Sequence, residues 1–279
     1  MLAQKGDLVG PKAGVRAAAY STCIAAAATG VPQRGIVHST FAAAANIVFP
    51  GGLLLSLNAG TAPRMPNGLQ LSTPPATFPF PTLRPGMPVL FGARCLHIEA
   101  CDCSLDLSNC TQWNPQITRP ERLDMEIVGK NRTLLANELQ CGSEPTGSLP
   151  RFNSFASKDV SQMARYLCGR GAGLTPAGDD LLAGWMAIHW LLYGPTPHVI
   201  AACQQILAVA RQQTHLLSQC WLGYAAKGMV ALPIKVLLDA ITQEDDRGLE
   251  TATQKVLEMG ATSGYDVIQG MLLGLEMCF

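Results

Sequence analysis

Residues 169–180 read GRGAGLTPAGDD: three glycines alternating with other residues, then Thr-Pro, then two adjacent aspartates. Gly169, Gly171 and Gly173 can take positive φ and let a second backbone or a ligand approach closely. Thr175-Pro176 sets a hydroxyl before a proline suited to the first helical position, so the spacing predicts a helix from Pro176 capped by Thr175. The free N–H groups of that helix start face the glycine loop, an arrangement that attracts phosphate or carboxylate. Asp179 and Asp180 lie in the first turn, where carboxylates also complement the helix dipole. Spacing alone therefore leaves two readings open, an anion site and a tight helix–loop–helix turn. The stretch is not a P-loop, because no Gly-Lys-Ser/Thr follows; no strand precedes it, which also counts against a dinucleotide fingerprint.

A second pattern sharpens the first. Asp180 precedes Gly184 by one helical turn, and Asp266 precedes Gly270 in the same way. Each helix thus presents a carboxylate above a glycine on one face, and the glycine admits a neighbouring helix. Two helix starts carrying hydroxyls (Thr175, Thr262, Ser263), backbone amides and carboxylates can face each other across a pocket. A carboxylate there accepts hydrogen bonds from an amide or amine, or holds Mg²⁺ through waters. Ser263 followed by Asp266 also reads as a capping-box-like helix start, which leaves capping as the plainer role for Asp266.

Other groups carry less. His189 lies inside the apolar run WMAIHWLLYG and reads as a core histidine. His38 and Ser39 are neighbours along a strand and so point to opposite faces. Arg64 and Lys227 are the basic residues in the most unusual local sequence and read as solvated charges or anion ligands. Cys95, Cys101, Cys103 and Cys110 cluster without a C-x-x-C pair, and a zinc site would need His97 or another ligand. No metal ligand set is assigned; the cysteines read as reduced thiols of a cytosolic protein.

Two regions must position these residues. Residues 1–118 hold most of the prolines and short apolar runs of strand length: 35–41, 53–60, 68–72 and 88–100. Six prolines in 74–88 predict an extended loop or an edge. One early helix is expected from about Gly14 to Ala28. From Pro120 the apolar period becomes helical. A polar connector at 141–157 precedes helices expected at about 158–168, 176–193, 197–213, 215–227, 231–242, 246–259 and 264–277. Thr196-Pro197 repeats the hydroxyl–proline start, and Gly260 reads as a helix stop. The expected fold class is α+β, a β-rich N-terminal domain (1–118) followed by an all-helical bundle domain (119–279).

The chain has 279 residues, 48% hydrophobic and 14% charged, with twenty basic and twenty acidic residues and no net charge. No run of Lys or Arg marks a nucleic-acid footprint. Residues 17–28 loosely imitate a signal peptide, but they are alanine-rich and Asp7 and Pro11 interrupt the lead. No apolar run approaches the ~20 residues that span a bilayer. A cytoplasmic protein without membrane partners is expected.

The motifs also carry a family resemblance. GRGAGLTPAGDDLLAG resembles the G-x-G-x-GLTPSGDD-x-x-x-G signature of a bacterial family whose best-understood members are AllH-type subunits of oxamate carbamoyltransferase. SQCWLGYAAKG at 218–228 and GATSGYDVIQG at 260–270 agree with it. The resemblance covers about 165–279 and is looser in the first half, at HSTFAAAANIVF, GGLLLSL and RMPNGLQL. Ala177 stands where the family usually has serine. The matching positions imply a site without fixed roles: Asp179, Asp180 and Asp266 as catalytic candidates, and Gly171, Gly173, Leu174, Thr175, Gly178, Thr262, Ser263 and Gly264 as substrate-binding ones. The resemblance implies a carbamoyltransferase subunit of purine (allantoin and oxalurate) catabolism. Its ligands would be oxalurate, oxamate, carbamoyl phosphate or phosphate, and it would work with two other transferase subunits. A non-catalytic binding or assembly subunit, and another carboxylate- or carbamate-handling catabolic enzyme, are the competing readings. The cofactor stays unassigned, with Mg²⁺ as the candidate.

Overall fold

Period-two sequence builds the first unit. Along QRGIVHST, Gly35, Val37 and Ser39 are buried while Gln33, Arg34 and Ile36 are exposed, the alternation of a strand with one covered face. The computed structural model describes residues 15–141 and 159–276, which divide into two units between Pro115 and Gln116. The first unit holds β1 (Ala17–Ser21), α1 (Ala25–Thr29), β2 (Gln33–Thr40), β3 (Ala44–Val48), β4 (Leu54–Asn58), β5 (Gly68–Leu71), β6 (Pro88–Gly92), β7 (Cys95–Ile98), β8 (Cys103–Asp106) and β9 (Thr111–Trp113). These strands form one curled sheet in the order β8-β7-β6-β2-β3-β4-β5-β1-β9. Its apolar core takes Val37, Ile47, Leu55, Leu57, Leu69 and Phe91. Between Leu55 and Leu57, Ser56 turns to the other face and donates to Asn46 Oδ1 at 2.7 Å; Asn46 Nδ2 in turn donates to Ser39 Oγ at 3.1 Å.

Two expectations in this unit need correction. The early helix over Gly14–Ala28 is instead β1 followed by the short α1. The alanine-rich AAAYS is held extended by β5 on one side and β9 on the other, and these ladder bonds override alanine's helix preference. The run 88–100 is two strands, β6 and β7, folded into a hairpin. Ala93 and Arg94 both take positive φ (47° and 60°), the geometry of a tight primed turn. The proline-rich stretch forms two 3-10 turns, Pro75–Thr77 and Phe80–Thr82, before Pro88 opens β6.

The second unit is helical: α2 (Met125–Cys141), α3 (Val160–Leu167), α4 (Ala177–Tyr193), α5 (Pro197–Gln213), α6 (Leu216–Ala225), α7 (Leu232–Ile241), α8 (Asp246–Leu257) and α9 (Ser263–Glu276). The overall class is α+β. Two helices are buried on nearly all sides, α4 and α9, as their apolar sequences require. The amphipathic helices wrap them: α3 and α5 pack with α4 around Leu167, Leu181, Trp185 and Ile206. Thr196 caps α5 as expected, accepting the Val199 N–H at 3.4 Å, and Gly260 takes φ +64° just beyond α8. Thr175 does not cap α4. Pro176 holds the cap position with extended backbone (ψ 142°) and makes no side-chain cap bond. The connector expected at 141–157 lies, beyond Cys141, outside the described residues. Among the described residues no helix is long and apolar enough to cross a membrane.

Candidate functional site

Glycines decide how α4 and α9 meet. A methyl group at Gly184 would overlap the carbonyl of Val267 in α9, and one at Gly270 would overlap the carbonyl of Leu181 in α4. Backbone therefore lies on backbone where the helices cross, closer than any side chain allows. One turn before each glycine stands an acid. Asp266 is fully buried, and Asp180 is half-buried with its Oδ2 sealed from solvent and without a hydrogen-bond partner among the described residues. The two helix starts also meet: Thr175 Oγ1 and Ser263 Oγ are 3.4 Å apart.

The electrostatics follow from this packing. Burial, above all, drives the Asp180 carboxyl well above the usual carboxylate range, and the charges of Asp266 and Asp179 push the same way. The Ser263 hydroxyl opposes them, standing close enough to favour the ionised form without closing a bond on Oδ2. A protonated or half-protonated acid in this place can donate as well as accept, which an exposed aspartate cannot.

Asp179 has a different task. It is buried, its Oδ1 accepts the Gly169 N–H at 2.9 Å, and its Oδ2 accepts the Thr214 hydroxyl. It thereby ties the start of the glycine loop to the end of α5. Burial raises its carboxyl, and the Thr214 and Gly169 bonds offset part of that rise. Thr214 lies 35 residues from Asp179; nothing in the local sequence marks it. Beyond Gly169 the loop turns outward. Gly171 and Gly173 have φ of 121° and 90°, and Gly171 folds back over the Ala177 N–H. Gly171, Ala172, Gly173 and Leu174 are exposed, and their N–H groups meet no backbone acceptor among the described residues. Ser218, from the SQCWLGYAAKG segment, steadies the loop by donating to the Leu174 carbonyl at 3.4 Å.

The structure thus brings Thr175, Asp180, Ser263 and Asp266 together at one crossing and leaves the loop amides of Gly171–Leu174 open beside the α4 start. Gly178 and Gly264 lie beneath the crossing, each pressed on the preceding helix. The Thr262 carbonyl accepts the Asp266 N–H at 3.0 Å. His189 is a core residue as expected, bonded through Nδ1 to the Trp185 carbonyl at 2.8 Å and stacked on its ring. Among the described residues no three His, Cys, Asp or Glu side chains converge as a metal site would need.

A curled sheet joined to a helical unit, with an acid one turn before each glycine of the α4–α9 crossing, defines the class: an α+β protein with acids at paired helix starts. Residues 167–275 match the family model described as oxamate carbamoyltransferase subunit AllH, and residues 16–112 match that of the AllH family N-terminal domain. The chain belongs to the AllH family. No solved structure matches it.

Proposed function

We propose that the chain is a subunit of a carbamoyltransferase of purine-nitrogen catabolism that takes part in the active site. It holds a small anionic substrate where the glycine loop and the α4 and α9 starts meet. The observation that carries this reading is the convergence of Thr175, Asp180, Ser263 and Asp266 beside four exposed loop residues whose N–H groups are free of backbone acceptors. Such N–H groups at a helix start suit the charged end of oxalurate, oxamate, carbamoyl phosphate or phosphate. In the catabolic direction a phosphate oxygen attacks the carbamoyl carbon of oxalurate. The bond from that carbon to the amide nitrogen breaks, the nitrogen takes a proton and leaves as oxamate, and carbamoyl phosphate forms. Positioning of the two reactants supplies most of the acceleration. The acids orient the carbamoyl NH₂, and two further subunits complete the assembly.

A second reading, a binding or assembly subunit whose partners do the chemistry, draws on Asp179, since both its oxygens are engaged inside the fold. One experiment separates the two. Asp180→Asn is assembled with the partner subunits and assayed for carbamoyl phosphate formation from oxalurate and phosphate. Turnover lower by roughly 100-fold with unchanged helix content supports an active-site role. Full turnover assigns the chemistry to the partners.

A further inference from the structure

Residues 178–184, GDDLLAG, and 264–270, GYDVIQG, share a pattern of glycine, then aspartate, then glycine at the same intervals. The fold uses both copies alike. A methyl at Gly178 would overlap the carbonyl of Leu167, the last residue of α3; one at Gly264 would overlap that of Val256, next to the last residue of α8. Gly184 presses on Val267, and Gly270 presses on Leu181. Val267 holds the place in the second copy that Leu181 holds in the first, so the contact is reciprocal, as across a local two-fold axis. Asp180 and Asp266 are equivalents across that axis. The equivalence fails one residue before each leading glycine, where Ala177 answers Ser263, so a single serine hydroxyl attends the pair.

We infer that Asp180 and Asp266 work as one unit sharing a single proton, and that this unit reads the primary amide of a small carboxylate ligand and rejects the dicarboxylate of the same shape. Asp180 and Asp266 hold equivalent places at the crossing and the charge of one opposes ionisation of the other, and two such carboxyls shielded from water do not both ionise. The pair with one proton offers one O–H donor and a carboxylate acceptor. A primary amide answers it with an N–H and a carbonyl oxygen. A carboxylate in the amide's place brings no donor and adds a negative charge beside an existing one. Asp180 Oδ2 is buried without a hydrogen-bond partner among the described residues and is the atom offered to the ligand. The ligand's own carboxylate then lies on the free N–H groups of Gly171–Leu174, clear of Asp179, whose oxygens are taken by Gly169 and Thr214. This inference rests on the site reading given under the proposed function.

Calorimetry of the full chain with oxamate and with oxalate tests it, because the two differ only by NH₂ against O⁻. Oxamate is expected to bind tighter by roughly 100-fold. The double variant Asp180→Asn/Asp266→Asn, checked for helix content and melting, is expected to narrow that ratio to about tenfold or less, since it removes the pair's negative charge and supplies N–H donors to the second carboxylate of oxalate. Equal binding of both ligands by the unaltered chain, or a ratio unmoved in the folded double variant, overturns the role of the pair and leaves the site standing. Binding of neither ligand overturns the site reading and this inference with it.

Discussion

Replacing Gly270 with alanine is the sharpest test of the helix crossing. The added methyl would overlap the Leu181 carbonyl oxygen, with the Leu181 carbon at 2.7 Å and its Cα at 3.0 Å. All three are backbone atoms of a buried helix, so no side chain can swing away. Carbon atoms rest about 3.5–4.0 Å apart, so α9 must move off α4 by roughly 1 Å or more. That gap opens along the most deeply buried helix pair of the unit. Overpacking of this kind costs about 1–3 kcal/mol, and the unyielding backbone places this case at the upper end. Gly184→Ala repeats the experiment from the other helix, against Val267. Gly223→Ala is the internal control: it lies within α6 with nothing inside 4 Å of its added methyl, and removing a mid-helix glycine there is expected to stabilise by about 0.5–1 kcal/mol. Urea unfolding followed by helical circular dichroism measures all three. If Gly270→Ala and Gly184→Ala unfold at the same urea concentration as the parent, the crossing is not as described and the acids need not meet.

Three further outcomes follow from the same geometry. The folded chain keeps on Asp180 a proton that the unfolded chain has released above 3.8, so stability falls as pH rises from about 4 toward the folded value; burial is the first cause, with the charges of Asp266 and Asp179 adding to it against the Ser263 hydroxyl. Asp180→Asn removes that falling limb, and a melting temperature whose pH slope is unchanged by the substitution contradicts the assignment. Thr214→Val leaves Asp179 Oδ2 buried without its donor and is expected to cost about 1–3 kcal/mol in urea unfolding; no loss would show the tie between α5 and the glycine loop to be slack. His189, lowered by burial to about 4, is neutral in the folded chain where the unfolded chain protonates near 6.5, so it destabilises the fold progressively as pH drops between those values. His189→Leu should flatten that acid limb, and an unaltered limb in a folded variant would place its origin elsewhere.

What was legible in the sequence follows the range of the forces involved. The helices after residue 158 could be read because each carries its own apolar period and its own stop. The expected 197–213 coincides with α5, where Thr196 and Pro197 fix the start locally. β1 and β3 could not be read. AAAYS and AANIV become strands only because partners line both edges, β5 and β9 for one, β2 and β4 for the other. The acid-above-glycine pattern was visible because it is one helical turn long. The Thr175 cap was misread because its hydroxyl faces Ser263, 88 residues away, and only the fold brings them to 3.4 Å. The overlap of Gly178 with Leu167 and of Gly264 with Val256 was equally hidden, since each carbonyl belongs to the helix before.

The two adjacent aspartates of GDD are best understood by comparison with the second copy of the pattern. Successive helical residues point about 100° apart, so Asp179 and Asp180 cannot serve one surface. If acids at both positions were needed for the crossing itself, the second copy would carry both. It carries Tyr265 where the first has Asp179, and that tyrosine is buried. The acid at 179 answers a need found only on the α4 side, the glycine loop that must be tied to Thr214 and held open. The acids at 180 and 266 answer the need the copies share. A buried carboxyl is costly, and two whose charges oppose each other cost more. A fold that needed only stability would place a small apolar residue at either position, where the close backbone contact is already secured by Gly184 and Gly270. The ligand proposed above would give the pair the purpose that stability alone does not.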